Sequence, residues 1–133
     1  MTTVAEALNA LGVENYRLEG HPTNETEFNS SFVKFTGKDA DEVAIESTDP
    51  SVFGVTWSQV SAKMTELDAG RAMAELRAER DRRIAETDWW ASSDLTITTE
   101  QTAYRQALRD ITTQTPSLDS WGNLTGITWP IKP

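Results

Sequence analysis

Three copies of one short pattern, a threonine followed three residues later by Glu or Gln, mark this chain: Thr3 with Glu6, Thr56 with Gln59, and Thr98 with Gln101. A threonine hydroxyl at a helix start accepts the N–H of the third helical residue. The Glu or Gln side chain reaches back to the threonine's own N–H, so each pattern fixes where a helix begins. Around Thr56 the signal is doubled, because Val55 precedes the cap and Val60 falls at the fourth helical position, where the two can close a hydrophobic staple. Helices are predicted from all three points.

The first helix places Val4, Leu8 and Leu11 on one face and stops at Gly12, the residue that most readily takes a left-handed C-terminal turn. Tyr16, Arg17 and Leu18 alternate as a short strand does, and His21-Pro22 breaks the chain. Residues 31–36 alternate again, with Phe32 and Lys34 opposed to Val33 and Phe35. A turn at residues 37–41 then leads to a third strand over residues 42–46, ended by Asp49-Pro50. A small antiparallel sheet is predicted.

From Thr56 to about residue 67, and again from about 71 to 87, the pattern is helical. Gly70 is the only breaker between, so two helices and one kinked helix fit equally well. Met73, Leu76, Arg80 and Ile84 make a thin stripe on the second segment. Trp89, Trp90 and the polar residues 91–98 read as a connector. Tyr104, Ala107, Leu108 and Ile111 then form an i, i+3, i+4, i+7 stripe, the second arm of a helical hairpin. The tail from Pro116, with Gly122, Gly126 and Pro130, is predicted to be extended. The fold class is therefore α+β: a small helix-and-sheet lobe over residues 1–70, then a helical hairpin with a Trp/Pro tail over residues 71–133.

The bulk properties narrow the function. At 133 residues the chain suits one domain or two small lobes. Its net charge is −9, which repels a phosphate backbone and argues against nucleic-acid partners. Residues 1–70 carry 12 acidic and 4 basic side chains, while residues 71–133 carry 9 and 8. No apolar run approaches the roughly 20 residues needed to span a bilayer, and the start MTTVAEALNALG has no basic region before an apolar one, so neither a membrane nor a secretion signal is expected. With zero cysteines there are no disulfides, thiolates or cysteine-based metal sites.

Little is left for catalysis. The single histidine, His21, sits beside Pro22 and reads as a loop residue, because a site needs several convergent groups. Asp39, Asp41 and Glu42 crowd one turn but lack the glycine and distal glutamate of a calcium loop. No cofactor, no metal and no enzymatic activity are expected. Arg77, Arg80, Arg82 and Arg83 alternate with Glu75, Glu79, Asp81 and Glu86, as on a solvated face laced with i, i+4 pairs, although guanidinium also suits a partner's carboxylates. Of five tryptophans, Trp57 is expected in the core. Trp89, Trp90, Trp121 and Trp129 either pin the connector and tail or form a binding surface.

Several of these features recur together in a known family. The series Leu76, Arg77, Arg80, Ile84, Thr87-Asp88-Trp89, Asp94, Tyr104-Arg105-Gln106-Ala107-Leu108-Arg109-Asp110 and the terminal Trp129-Pro130 resembles the phage tail assembly chaperone-like family of tailed bacteriophages over residues 71–133. Two features depart from the family pattern: Trp90 stands where many members are polar, and residues 119–128 insert a glycine-bearing stretch before the final Trp-Pro. The resemblance implies a non-enzymatic protein that binds a phage tail or tail-fibre protein and assists its folding, assembly or attachment, or else a structural component retained in the virion. It implies the host cytoplasm during assembly, or the virion tail, and leaves a homo-oligomer open. The motif residues Arg77, Arg80, Asp88, Trp89, Trp90 and Asp94, with Tyr104, Arg105, Arg109, Asp110, Trp129 and Pro130, are the candidate site, whether they bind a partner or hold the hairpin. A hairpin brings the connector near the second arm, so Arg105 and Arg109 are expected to pair with Asp88 or Asp94, and Trp89 to pack on Tyr104 and Leu108.

Overall fold

The computed structural model describes all residues, Met1–Pro133. It is an α+β chain of four α-helices and two small antiparallel sheets. By its internal packing it divides into two units, Thr2–Leu67 and Asp68–Pro133.

In the first unit, helix α1 (Val4–Ala10) begins at a complete capping box: Glu6 N–H donates to Thr3 Oγ1 at 3.2 Å and Thr3 N–H to Glu6 Oε2 at 2.6 Å. It buries Val4, Ala7 and Leu8, one apolar stripe, and ends before Gly12, whose φ of +70° is the left-handed turn the sequence called for. Strand β1 (Tyr16–Leu18) follows as expected. A short helix then intervenes that the sequence pattern did not reveal: α2 (Glu25–Ser31), capped by Asn24, whose Oδ1 accepts Glu27 N–H at 2.9 Å. Only Phe28 in it is buried, so it carries no periodic stripe to detect.

Strand β2 (Phe32–Lys38) is central, antiparallel to β1 on one side and to β3 (Ala44–Ser47) on the other. The third strand starts later than predicted because Glu42 sits at φ +60° in a turn. Asp39 closes that turn, its Oδ1 accepting the N–H groups of Asp41 and Val43, both at 2.9 Å. Of the three carboxylates crowded there, Asp39 is thus engaged in a local turn. A 3-10 turn at Pro50–Val52, capped by Asp49, then delivers Phe53 to the interior at 1% exposure.

The interior of this unit is aromatic. Phe32 lies 4.6 Å from Phe53 and 5.1 Å from Phe28 between ring centroids, and Tyr16 stacks on Phe32 at 5.2 Å. Trp57 packs on Phe28 at 5.7 Å from the edge of the cluster. Val55 and Val60 both join this core, so the staple forms, and Thr56 completes its capping box with Gln59 at 2.9 and 3.3 Å.

Helix α3 (Trp57–Ala85) is a single helix of 29 residues, which decides between the two readings around Gly70. One interior glycine costs about 1 kcal/mol relative to alanine, too little to break a helix extended on both sides. In the second unit, a 3-10 turn at Asp88–Ala91 follows α3, and α4 (Thr99–Arg109) starts at the third capping box, Thr98 with Gln101. Of the predicted stripe Tyr104, Leu108 and Ile111 are buried, whereas Ala107 is exposed. The tail is non-helical, and it also folds back on itself, with β4 (Ser117–Leu118) pairing with β5 (Leu124–Thr125). Gly126 permits this, since its φ is +76° and a Cβ there would meet the Thr115 carbonyl at 3.2 Å.

Candidate functional site

The motif residues of the second unit converge where α3 ends. Thr87 is fully buried, and its hydroxyl donates to the Ile84 carbonyl at 2.8 Å, inside the last turn. From α4, Arg105 Nη1 donates to Thr87 Oγ1 at 2.7 Å, with the Ile84 carbonyl at 3.5 Å, and Arg105 Nη2 reaches Asp88 Oδ1 at 3.2 Å. The Ile84 carbonyl already accepts the Thr87 N–H at 2.9 Å as well as the Thr87 hydroxyl, so what the guanidinium adds at this helix end is a positive charge beside its partial negative charge. Arg105 is the enclosed member of its ion pair: its side chain is 12% exposed, against 65% for Asp88.

Beside this lock lies a small apolar cluster of Trp90, Tyr104 and Leu108, with Ile84 and Trp129 packed against it. The Trp90 and Tyr104 ring centroids are 6.0 Å apart. The tail closes over α3 through Trp129, whose ring lies 4.1 Å from the Arg83 guanidinium carbon, and Lys132 stands 5.7 Å from the Trp90 ring. Arg83 is held in turn by Glu79, at 2.7 Å. Glu79 also accepts Arg82 at 2.7 and 2.8 Å, and it is this hydrogen bonding first, then Arg83, that lowers its pKa from 4.5 to about 2. Gln114 fastens the chain before Trp129, its side-chain amide exchanging hydrogen bonds with the Thr128 backbone at 2.8 and 3.0 Å.

Two expectations are corrected. Arg109 is exposed and makes no ion pair, and Asp94 is exposed and unbonded in the connector; of the predicted pairs only Arg105 with Asp88 exists. One helical turn displaces Arg109 by about 6 Å along the axis from Arg105, away from the α3 terminus. Trp89 does not pack on Tyr104 and Leu108 but is 61% exposed; Trp90, at 4% exposed, takes that place. Consecutive residues of a 3-10 turn point about 120° apart, so only one of the two rings can face α4.

The other candidates are scattered. Arg80 bonds its neighbour Asp81 at 2.7 Å, Arg77 is exposed without a partner, Asp110 accepts from Gln106 at 3.0 Å, and Pro130 is half-buried. Thr87, Arg83 and Glu79 also build the arrangement and were not singled out as site residues. The i, i+4 spacing of Glu79 and Arg83 was a usable signal for that pair, whereas nothing local distinguishes Thr87. His21 lines a shallow pocket of about 380 Å³ with Glu19, Pro22, Glu27, Ser30 and Ser31 in the first unit. No group of three or more metal-ligating side chains comes together, and no helix is long and apolar enough to cross a membrane.

Exposed apolar side chains mark the rest of this unit: Trp121 at 87%, Trp89 at 61%, Leu95 at 49% and Ile131 at 93%. Trp121 rides on the β4–β5 turn, where Asp119 Oδ1 accepts the N–H groups of Trp121 and Asn123, both at 2.8 Å. Those backbone bonds hold the Asp119 carboxyl below its usual pKa range, with Asn123 the larger cause.

No curated protein and no solved structure matches the chain. The Arg105 lock, the Trp90 cluster, the Trp129 clasp and the exposed tryptophans all fall within residues 73–133, the segment that matches the family model of the phage tail assembly chaperone protein.

Proposed function

We propose that this chain acts in bacteriophage tail assembly by binding a tail or tail-fibre polypeptide and assisting its folding or attachment, without catalysing a reaction. The family match over residues 73–133 carries the tail-assembly role. The binding role is supported by a division of labour among the motif residues. Asp88, Trp90, Tyr104, Arg105 and Trp129 are used up in holding the hairpin and tail together. Trp89, with the unpaired Arg77 and Arg109, is left outward, and so is Trp121, outside the motif. Tryptophan and arginine are the side chains that most often dominate the energy of a protein interface.

On this reading the protein works in the host cytoplasm while tails are built. Co-expression with the tail and tail-fibre proteins of the same phage, followed by pull-down on this chain, should recover one of them. Trp89→Ser should weaken recovery while leaving the fold intact. Recovery of none would sink the binding role. Mass spectrometry of purified particles separates an assembly factor, absent or far below stoichiometric, from a structural component present in fixed number.

A further inference from the structure

The open rim of the N-terminal sheet has no part in the arrangement above. β3 is the last strand in the order β1, β2, β3, so it pairs with β2 alone. Asp39 N–H donates to the Val43 carbonyl at 2.9 Å, so Val43 turns its backbone inward. Alternation along an antiparallel strand then turns the N–H and C=O groups of Ala44 and Glu46 toward the rim. Edge strands are ordinarily blunted by lysine, proline or a covering element. Here the strand reads Ala-Ile-Glu-Ser, with no lysine or proline, and Ala44, Ile45 and Glu46 are all exposed.

Two branched apolar side chains at i, i+2 stand on one face of this rim, Val43 at 59% and Ile45 at 45% exposure. Ile45 is paired with Gly37, where an added Cβ would meet nothing within 4 Å, so the space beside it is open. Asp41 and Glu42 precede Val43 and form no ion pair, and Glu46 pairs only with Arg17, at 3.1 Å. The first 70 residues hold 12 acids and 4 bases.

We infer that the β3 rim accepts an extended segment of another protein in which branched apolar residues alternate with lysine or arginine. Main-chain hydrogen bonds to Ala44 and Glu46 supply the binding, and the apolar and acidic side chains set the sequence preference. A second copy of this chain is a poor occupant, because two such rims would bring Asp41, Glu42 and Glu46 against like charges. The surface lies outside residues 73–133, so the inference stands or falls independently of the tail-assembly proposal.

The test uses the full chain and two short synthetic peptides, one alternating valine with lysine and the other valine with glutamate. Amide exchange followed by NMR should slow at Ala44 and Glu46 with the lysine peptide and not with the glutamate peptide. Asp41→Lys combined with Glu42→Lys should weaken the lysine peptide about threefold to tenfold, as the reversal of two rim charges implies. Ile45→Thr, which keeps strand propensity, should also weaken it, while the spectrum of the free protein stays dispersed. Equal binding of both peptides, protection elsewhere in the chain, or self-association through β3 with no peptide effect would overturn the inference.

Discussion

Between Thr2 and Leu67 eight buried apolar residues form one cluster built on Phe28, Phe32 and Phe53, whereas between Asp68 and Pro133 the cluster has three, Trp90, Tyr104 and Leu108. The difference lies in how each unit fixes its chain. The first unit removes rings from water and needs few side-chain ion pairs. The second has a thin apolar stripe on α3 and supplements it with charged groups that reach backbone carbonyls, hydroxyls and ring faces: Arg105 on Thr87 and Arg83 under Trp129. A unit organised in this way keeps several large apolar side chains outward, because they are not needed inside.

Removing a central ring should show the contrast most strongly. Phe28 is fully buried and meets Phe32, Phe53 and Trp57 within 5.1 to 6.2 Å. Phe28→Ala should therefore cost about 3 to 5 kcal/mol in denaturant melts. Leu108→Ala, in the smaller cluster, should cost about 2 to 4 kcal/mol. Equal losses at the two positions would mean that the thin cluster is as deeply packed as the aromatic one.

The polar lock comes next in size. Arg105→Ala leaves the buried Thr87 hydroxyl and the Ile84 carbonyl without their charged donor, at a cost of about 2 kcal/mol. Arg109→Ala, one turn further along α4 and exposed, should stay within about 0.5 kcal/mol. A large loss at Arg109 with none at Arg105 would reverse the assignment of the two arginines.

What could be read from the amino acids follows the range over which each signal acts. The three capping boxes, the Val55–Val60 staple and the Tyr104–Leu108–Ile111 stripe are local, and all are present. Helix α2 escaped because its seven residues bury only Phe28, leaving no period to detect. The choice between Trp89 and Trp90, and between Arg105 and Arg109, depends on the rotation of one turn and the axial position of one helix against another. Residue spacing does not encode either. Thr87 escaped for the same reason: its value comes from lying under a guanidinium 18 positions away in sequence.

Caps test the local signals directly. Thr56→Ala removes the acceptor for Gln59 N–H while leaving the staple in place, and should cost about 1 kcal/mol. Its effect should be resolved by amide exchange in the first turn of α3. A loss near zero would show that Val55 and Val60 alone fix the helix start.

A small effect is also expected at Glu79, and pH isolates it. Its carboxylate accepts both Arg82 and Arg83, and its pKa falls from 4.5 to about 2, so the ionised form is favoured in the folded chain. The associated stability is therefore fully present above about pH 4.5 and is lost as the pH falls toward about 2. Its size is limited because Arg82 is 59% exposed, and water and salt screen that partner; Glu79→Gln should cost less than about 1 kcal/mol at neutral pH. Arg83, which the Trp129 ring covers, should lose part of its positioning in the same variant, shifting tryptophan emission slightly toward the red. Melts of the wild type and Glu79→Gln should differ at pH 7 and converge near pH 2. A difference that persists at pH 2 would mean that Glu79 acts through shape rather than charge, and the second unit would then rely less on charged contacts than its contrast with the aromatic first unit suggests.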